Sequence, residues 1–493
     1  VFKGSRSILR WISLLLIFTA ALLTVFQLVS FSRIRSIFPA DMRIAGVPVG
    51  GLDQNQAADR LTQAYGVPVE LRYGNAIIQI KPSLVGFSLD LQGMLAAADL
   101  QRLSQPFWPA FWDYLWNRPS QSGEVPLSAA ISESRLRSYL SEEVAQRYDQ
   151  PPSAAMPVPG STTFQSGKPG TVLDIDRAVT LIEDALRSPS ARVVNLSFSK
   201  VNPGRPSPQN LQVLLKQIIQ LSGFDGLAEM YMLDLQTQDE LHFAMNKGAD
   251  IPGDISFSAE STIKIPIMIS IMRRVNEPMP KIITDQIELM IEQSSDDAPD
   301  SLMQQLIDKN TGPLMVTQDM RALGLNNTFL AGYFYLGAPL LKRITTTANQ
   351  RTDITTEPDS YNQTTPAEMG MLLDDIYQCA ETGGGSLAAV FPGGITQDKC
   401  RTMITYLTRN KTPVLIQAGL PDTAQIAHKH GWITSSDGLI HTICDAGIIY
   451  TSGGNYIMTI YMYHPTQLLF DPANQLVAQL SNAVYNYFNL TNK

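Results

Sequence analysis

The sequence predicts an α+β protein. It expects one N-terminal apolar helix, a smaller α/β region, and a larger region with an antiparallel sheet, flanking helices and a helical lobe. Three observations carry this. Trp11 to Phe31 is a run of 21 residues without a charge. The stretch Val201-Asn202-Pro203-Gly204-Arg205-Pro206-Ser207-Pro208 can continue neither a helix nor a central strand, so two unlike regions meet there. Beyond it, strand-like runs at both ends enclose a helical middle, the order expected of one sheet covered by terminal helices.

Composition narrows the class. At 493 residues the chain exceeds what one hydrophobic core serves. With 44% apolar and 17% charged residues it is a globular chain and not a disordered one. A net charge of −8, with no basic cluster, excludes a nucleic-acid partner. Five histidines and three cysteines form no Cys-x-x-Cys or His-Glu-x-x-His pattern, so neither a metal nor a cofactor is expected.

At 1.5 Å rise per residue, a helix over residues 11–31 spans roughly 30 Å of hydrocarbon. Lys3, Arg6 and Arg10 precede it, and Arg33 and Arg35 follow. The apolar core is longer than that of a cleaved signal peptide, and Gln27 to Arg33 contains no Ala-x-Ala site. The expectation is a single-pass anchor in the cell membrane, with residues 1–10 as a short cytoplasmic tail and the remainder extracytoplasmic. Such a location permits disulfides. Cys379 and Cys400 flank a Gly-rich stretch and can pair, leaving Cys444; three buried free thiols fit the sequence as well.

Residues 40–200 read as a separate α/β region. Asp53 is an N-cap for a helix over Gln54 to Tyr65. Val69 to Tyr73 and Ala76 to Ile80 form a hairpin around Gly74-Asn75. Pro82 to Phe87 and a helix from Leu91 follow. Phe164 to Ala185 repeats the theme, with a strand at Thr171 to Asp174 and a helix from Asp176. The run Ile44-Ala45-Gly46-Val47-Pro48-Val49-Gly50-Gly51-Leu52 and the Pro82 to Phe87 segment resemble the peptidoglycan-binding domain of membrane-anchored wall proteins. The resemblance implies peptidoglycan as a partner. Gln150 to Gly160 reads as a second, weaker joint.

Within this region lies Pro106-Phe107-Trp108-Pro109-Ala110-Phe111-Trp112-Asp113-Tyr114-Leu115-Trp116. Its tryptophans are spaced by four and form one helical stripe. The stripe fits a membrane-interface or sugar-stacking face. The plainer reading, and the one expected here, is a helix packed on its own domain.

After the linker at 201–209, the region 210–493 predicts a helix to about Ser222 and strands at Ala228 to Asp234 and Leu241 to Asn246. A mostly helical middle from about Ile282 to Thr408 comes next. Strands at Ile426 to Thr434, Gly438 to Tyr450 and Tyr456 to Tyr463 follow, and a helix from Pro472 to Phe488 closes the chain. Between the second strand and the helical middle stands Phe257-Ser258-Ala259-Glu260-Ser261-Thr262-Ile263-Lys264-Ile265-Pro266-Ile267-Met268. Residues three apart on a helix share a face, which sets the Ser261 hydroxyl beside the Lys264 amine. A serine is a weak nucleophile until an adjacent base takes its proton, and Lys264 is such a base.

These residues resemble the class A β-lactamase and penicillin-binding serine hydrolases, whose short motifs are Ser-x-x-Lys, Ser-Asp-Asn and Lys-Thr-Gly. Ser261 to Lys264 completes the first. Met290-Ile291-Glu292-Gln293-Ser294-Ser295-Asp296-Asp297-Ala298 matches the frame of the second. It places its serine at Ser294, with Asp296 where the family has an amide that donates to the substrate. The alternative register on Ser295 breaks the flanking matches. Lys429-His430-Gly431-Trp432 matches the third with histidine for threonine. The resemblance implies Ser261 as nucleophile, Lys264 as base, and Ser294 and Lys429 as the pair that delivers the proton. It assigns substrate contacts to Asp296, His430 and Gly431, and an oxyanion hole to the N–H groups of Ser261 and Trp432. His428 and His430 share a strand face, but no third metal ligand accompanies them.

The Glu with which class A enzymes activate the deacylating water has no counterpart before Thr364-Thr365-Pro366. Glu357 is too close to Pro366, and Asn349 or one of its neighbours occupies the equivalent place. The expected activity is acyl-enzyme formation with β-lactams or D-alanyl stem peptides, as a β-lactamase. The alternatives are a D,D-peptidase or slowly deacylating penicillin-binding protein, and a non-catalytic wall-binding or sensory protein.

Overall fold

The computed structural model describes residues 5–118, 123–410 and 412–490; Lys3 of the basic tail lies outside them. The chain divides into two compact units, residues 1–153 with 169–202, and residues 154–168 with 203–493. The break at Asn202–Pro203 falls in the proline-rich joint. Ala154–Lys168 departs from the single 40–200 region read from the sequence, because it belongs to the C-terminal unit. There the Phe164 ring packs 6.1 Å from that of Tyr487, and Thr162 Oγ1 donates to Asn482 Oδ1 at 2.7 Å.

In the N-terminal unit, one helix runs over Ser5–Ile34. Among the described residues, its segment Leu9–Ile34 alone is long and apolar enough to cross a bilayer. The helix Gln54–Gly66 starts at Asp53, whose carboxylate accepts from Gln56 N while Gln56 reaches back to Asp53 N. That reciprocal cap satisfies two otherwise orphaned donors. Val69–Tyr73 pairs with Ala76–Ile80 as a hairpin, and Val193–Asn195 adds to it in parallel. Helices Leu91–Arg102 and Ile175–Arg187 are capped by Asp90 and Asp174. Leu61, Tyr65, Leu71, Ile80, Leu136 and Ile182 are buried in a common core.

The tryptophan stripe differs from the plainer expectation. The helix Phe107–Leu115 does pack, but through Phe107, Phe111 and Tyr114. Trp108, Trp112 and Trp116 are 67%, 59% and 64% exposed. The seam sits one position off the tryptophans, where phenylalanines at i and i+4 meet Phe31.

The C-terminal unit is built on a six-stranded antiparallel sheet. Its spatial order is Ala249–Ile251, Glu240–Asn246, Leu227–Asp234, Tyr456–Tyr463, Ile440–Tyr450 and Gln425–Thr434. The central strands Leu227–Asp234 and Tyr456–Tyr463 are buried along their whole length, as a sheet covered on both faces requires. Helices Pro208–Leu221 and Phe470–Phe488 cover one face, burying Leu214, Ile218, Leu480 and Val484. The helical lobe covers the other, around Lys264–Met272, a helix buried on every side.

The middle of the chain is less helical than its sequence suggests. Between Phe329–Leu330 and Asn362–Thr364 the chain has no regular structure. Gly332, Gly337 and Pro339 interrupt any helical repeat, and side chains hold the segment instead. The Asp300 carboxylate accepts from Phe334 N and Tyr335 N at 2.8–3.0 Å, and Asn349 Nδ2 donates to Ile344 O and Gln363 Oε1. Helices Pro366–Thr382 and Gln397–Thr408 are joined by a Cys379–Cys400 disulfide, and Cys444 is a buried free thiol.

Candidate active site

Ser261 lies in a 3₁₀ turn, Glu260–Ile263, that feeds directly into the buried helix Lys264–Met272. The turn is fixed from behind: Thr262 Oγ1 is 2.7 Å from Tyr461 Oη on the central sheet. Glu260 holds a left-handed backbone, φ +49°. For a residue with a Cβ that costs roughly 1–2 kcal/mol, so packing must hold the turn in place. The edge strand Gln425–Thr434 runs alongside. A Cβ at Gly431 would lie 2.6 Å from Ser261 N, so glycine is what lets strand and turn approach.

Four side chains converge here. Lys264 Nζ is 3.1 Å from Ser261 Oγ and 3.3 Å from Ser294 Oγ. Ser294 Oγ donates to Ser261 Oγ at 3.0 Å, and Lys429 Nζ donates to Ser294 Oγ at 2.9 Å. Lys264 also donates to Ser294 O and to Asp296 Oδ1, both at 2.7 Å. The Ser295 hydroxyl is not in this chain; it accepts from Ala298 N at 3.4 Å. Ser294 sits at φ +58° between helices Lys281–Glu292 and Asp297–Leu306, and that turn aims its hydroxyl between the lysines.

Both lysines are fully buried. Burial pushes the Lys264 amine below its ordinary value, and the Asp296 carboxylate opposes this. Burial, and then the neighbouring Lys264, push Lys429 down to about 7. An amine so placed spends part of its time neutral near neutral pH, which a proton acceptor needs.

The other candidates fall in different places. Asp296, its side chain 65% exposed, and Trp432 line a cavity of roughly 610 Å³ in front of Ser261. His430 does not line it. Its ring stacks 4.8 Å from Trp432 and lies 5.7 Å from His428, 6% exposed, and burial pushes it down to about 4, so it is neutral. His428 Nδ1 is held by Asp445 at 3.0 Å and its Nε2 by Gln417 at 3.2 Å, so its two nitrogens are engaged in a polar network.

Other groups at the cavity were not singled out from the sequence. Phe334, 5.8 Å from Lys264 Nζ, and Tyr335 form a wall held by Asp300. Glu260 and Asp359 also line the cavity, and burial, with the charges of Asp359 and Asp296, pushes the Glu260 carboxyl up to about 8. No periodicity marks such residues; the irregular segment brings them in. Glu357 is an exposed lining residue, whereas Asn349 is tied to the segment's own backbone and does not line the cavity. Elsewhere, Glu229, His242 and Asp254 place ligand-type atoms within 4.8 Å of one another, with both Glu229 oxygens already accepting from backbone N–H groups.

The sequence profile of the Beta-lactamase enzyme family matches residues 280–488, a span that includes Ser294 and Lys429 and begins after Ser261. No curated protein matches the chain. Among solved structures, one titled "Structure of PBP-A" is 21% identical, covering 59% of this chain and 99% of its own, with a TM-score of 0.42. A β-lactamase from Desulfarculus baarsii is 17% identical over 58% and 100%, with a TM-score of 0.41. An ancestral class A β-lactamase is 20% identical over 56% and 98%, with a TM-score of 0.39. The C-terminal unit has a β-lactamase-like fold.

Proposed function

We propose that the C-terminal unit is a serine acyl hydrolase that opens β-lactams or cleaves D-alanyl stem peptides through an ester on Ser261. One observation carries this reading. The Ser261 hydroxyl stands within hydrogen-bond reach of both a buried amine and a second hydroxyl, which is itself bonded to a second buried amine.

In the proposed mechanism, neutral Lys264 takes the Ser261 proton as Oγ attacks the acyl carbonyl. The N–H groups of Ser261 and Trp432 stabilise the oxyanion. Ser294 passes its proton to the leaving nitrogen and is reprotonated from the lysines on either side of it. Lys429 also attracts the substrate carboxylate. Asp296 acts on Lys264 rather than as an amide donor, since an ionised carboxylate only accepts. With Asn349 turned into its own loop, no residue is assigned to activate water, and the ester is expected to be long-lived. That favours a penicillin-binding protein or peptidase over a fast β-lactamase.

The N-terminal helix is read as a single-pass membrane anchor that holds the hydrolase outside the cytoplasm, and the region 40–200 as the part that contacts peptidoglycan. The Cys379–Cys400 bond supports an oxidising compartment. A fluorescent penicillin is expected to label the full chain, and Ser261→Ala to abolish labelling. Labelling that survives the substitution removes Ser261 from the mechanism. No labelling of the wild type, with a folded protein, points to the non-catalytic reading.

A further inference from the structure

The tryptophan helix lies against the end of the apolar N-terminal helix and has two faces. On one, Phe107, Phe111 and Tyr114 surround Phe31, with ring centroids 5.3–5.4 Å away. Tyr114 Oη donates to Gln27 Oε1 at 3.1 Å, one turn further back along that helix. Arg35 ties the entry of the tryptophan helix down: Nη2 donates to Gln105 O at 2.9 Å and the guanidinium lies 5.3 Å from the Phe107 ring. The other face carries Trp108, Trp112, Leu115 and Trp116, all exposed.

The contacts fix the depth of this helix. They run from Gln27 to Arg35, the last turns of the apolar run, and Gln27 to Ile34 is about 10 Å of helix. An amphipathic helix lying at the boundary of headgroups and acyl chains is buried by about the same 5–10 Å. Indole, apolar in body with one N–H donor, is the side chain enriched at that boundary. Arg35, Arg102 and Arg118 line one cavity at this junction together with Asp41 and Asp113, with Arg102 paired to Asp99 at 2.9 Å, and Arg33 follows the apolar run in the sequence, so basic groups stand at the level of lipid phosphates.

We infer that Phe107–Leu115 is an interfacial helix whose Trp108, Trp112 and Trp116 face inserts into the bilayer crossed by the chain's own N-terminal helix. The occupant of the exposed face is lipid, because the face is continuous with a segment whose length and composition match the bilayer. The helix then holds the N-terminal unit close to the membrane surface. This inference rests on the membrane-anchor reading.

The test uses the full chain reconstituted in phosphatidylcholine–phosphatidylglycerol vesicles, with nitroxide labels at shallow or deep acyl-chain positions. Wild type is compared with Trp108→Ser/Trp112→Ser/Trp116→Ser, so that Trp11 and Trp432 cancel in the difference. Expected is a blue-shifted difference spectrum, quenched at least twofold more by the shallow label than by the deep one. Trp112→Ser alone, a milder change, is expected to remove part of the signal. A protein that floats with the vesicles while its difference spectrum stays red and unquenched overturns the inference and leaves the anchor standing. A difference spectrum that shifts only on adding peptidoglycan fragments makes the stripe a sugar platform and also overturns it. A protein that does not float removes the anchor reading itself.

Discussion

The Lys429 amine lies 2.9 Å from the Ser294 hydroxyl, at the far end of a chain of two contacts that finishes on Ser261. Both lysines of the site thus bear on one hydroxyl, and Ser294 is the junction through which either can move a proton. Groups that act as a unit lose their effect together. Ser294→Ala and Lys429→Met are each expected to slow penicillin acylation by about 10²–10⁴-fold, the range of a lost proton-transfer group. The double variant is expected to be little slower than the worse single one. Stopped-flow acylation rates check this, and multiplicative losses would mean the two act separately.

Asp296 is expected to restrain acylation. Its carboxylate, 2.7 Å from Lys264, favours the protonated amine, and a protonated amine accepts nothing. Asp296→Asn removes that charge and supplies an amide donor. Its acylation rate at pH 7 should rise several-fold, with the rising limb of the pH–rate profile moved to lower pH. A slower variant with an unmoved profile contradicts this role.

Lys429 sets a sign for stability against pH. Its folded value, about 7, lies below the ordinary lysine value of 10.5. Between those values the unfolded chain binds more protons, so stability rises with pH through this window. The slope per group is at most about 1.4 kcal/mol per pH unit. Lys429→Met removes the group, so the stability gap between wild type and variant should move in the wild type's favour from pH 7 to pH 10. Denaturant titrations across that range measure it.

Glu260 carries the opposite sign. Its folded value is raised from 4.5 to about 8, so the folded state binds more protons between them and stability falls as pH rises through that interval. Glu260→Gln mimics the protonated acid. It is expected to match wild type near pH 5 and to exceed it in thermal stability at pH 8. Equal pH dependence in the two proteins would show that this carboxyl ionises normally.

The Cys379–Cys400 bond closes a loop of 21 residues within the helical lobe. A loop of that length corresponds to about 3 kcal/mol in the chain-entropy description. Cys379→Ser/Cys400→Ser should lower unfolding stability by that order. Both sulfurs are buried, so thiol reagents should reach them in the wild type only on unfolding.

Much of the fold is legible because it rests on local chemistry. The Asp53 cap, the Gly74-Asn75 hairpin and the buried strand Tyr456–Tyr463 follow from turn residues and runs of apolar side chains. The order Ser261, Lys264, Ser294, Lys429 is legible as motifs in matching frames. The irregular segment before Asn362 is not, because Asp300, through Phe334 N, and Arg351, donating to Gly253 O, hold it through contacts distant in sequence. The face of the tryptophan helix is also illegible: a stripe shows that residues share a side, not which side meets a partner.

The sequence by itself determined an α+β chain with one apolar helix, a proline break and a serine–lysine pair at helical spacing. The motif frame already points to Ser294 over Ser295, and the tertiary structure adds the left-handed turn at Ser294 and the hydroxyl's place between the two lysines. It also decided that His430 turns away from the cavity while Glu260 and Asp359 turn toward it. Side-chain facing in a strand or turn depends on what packs behind it, and here that is the sheet, the terminal helix and a loop from elsewhere in the chain.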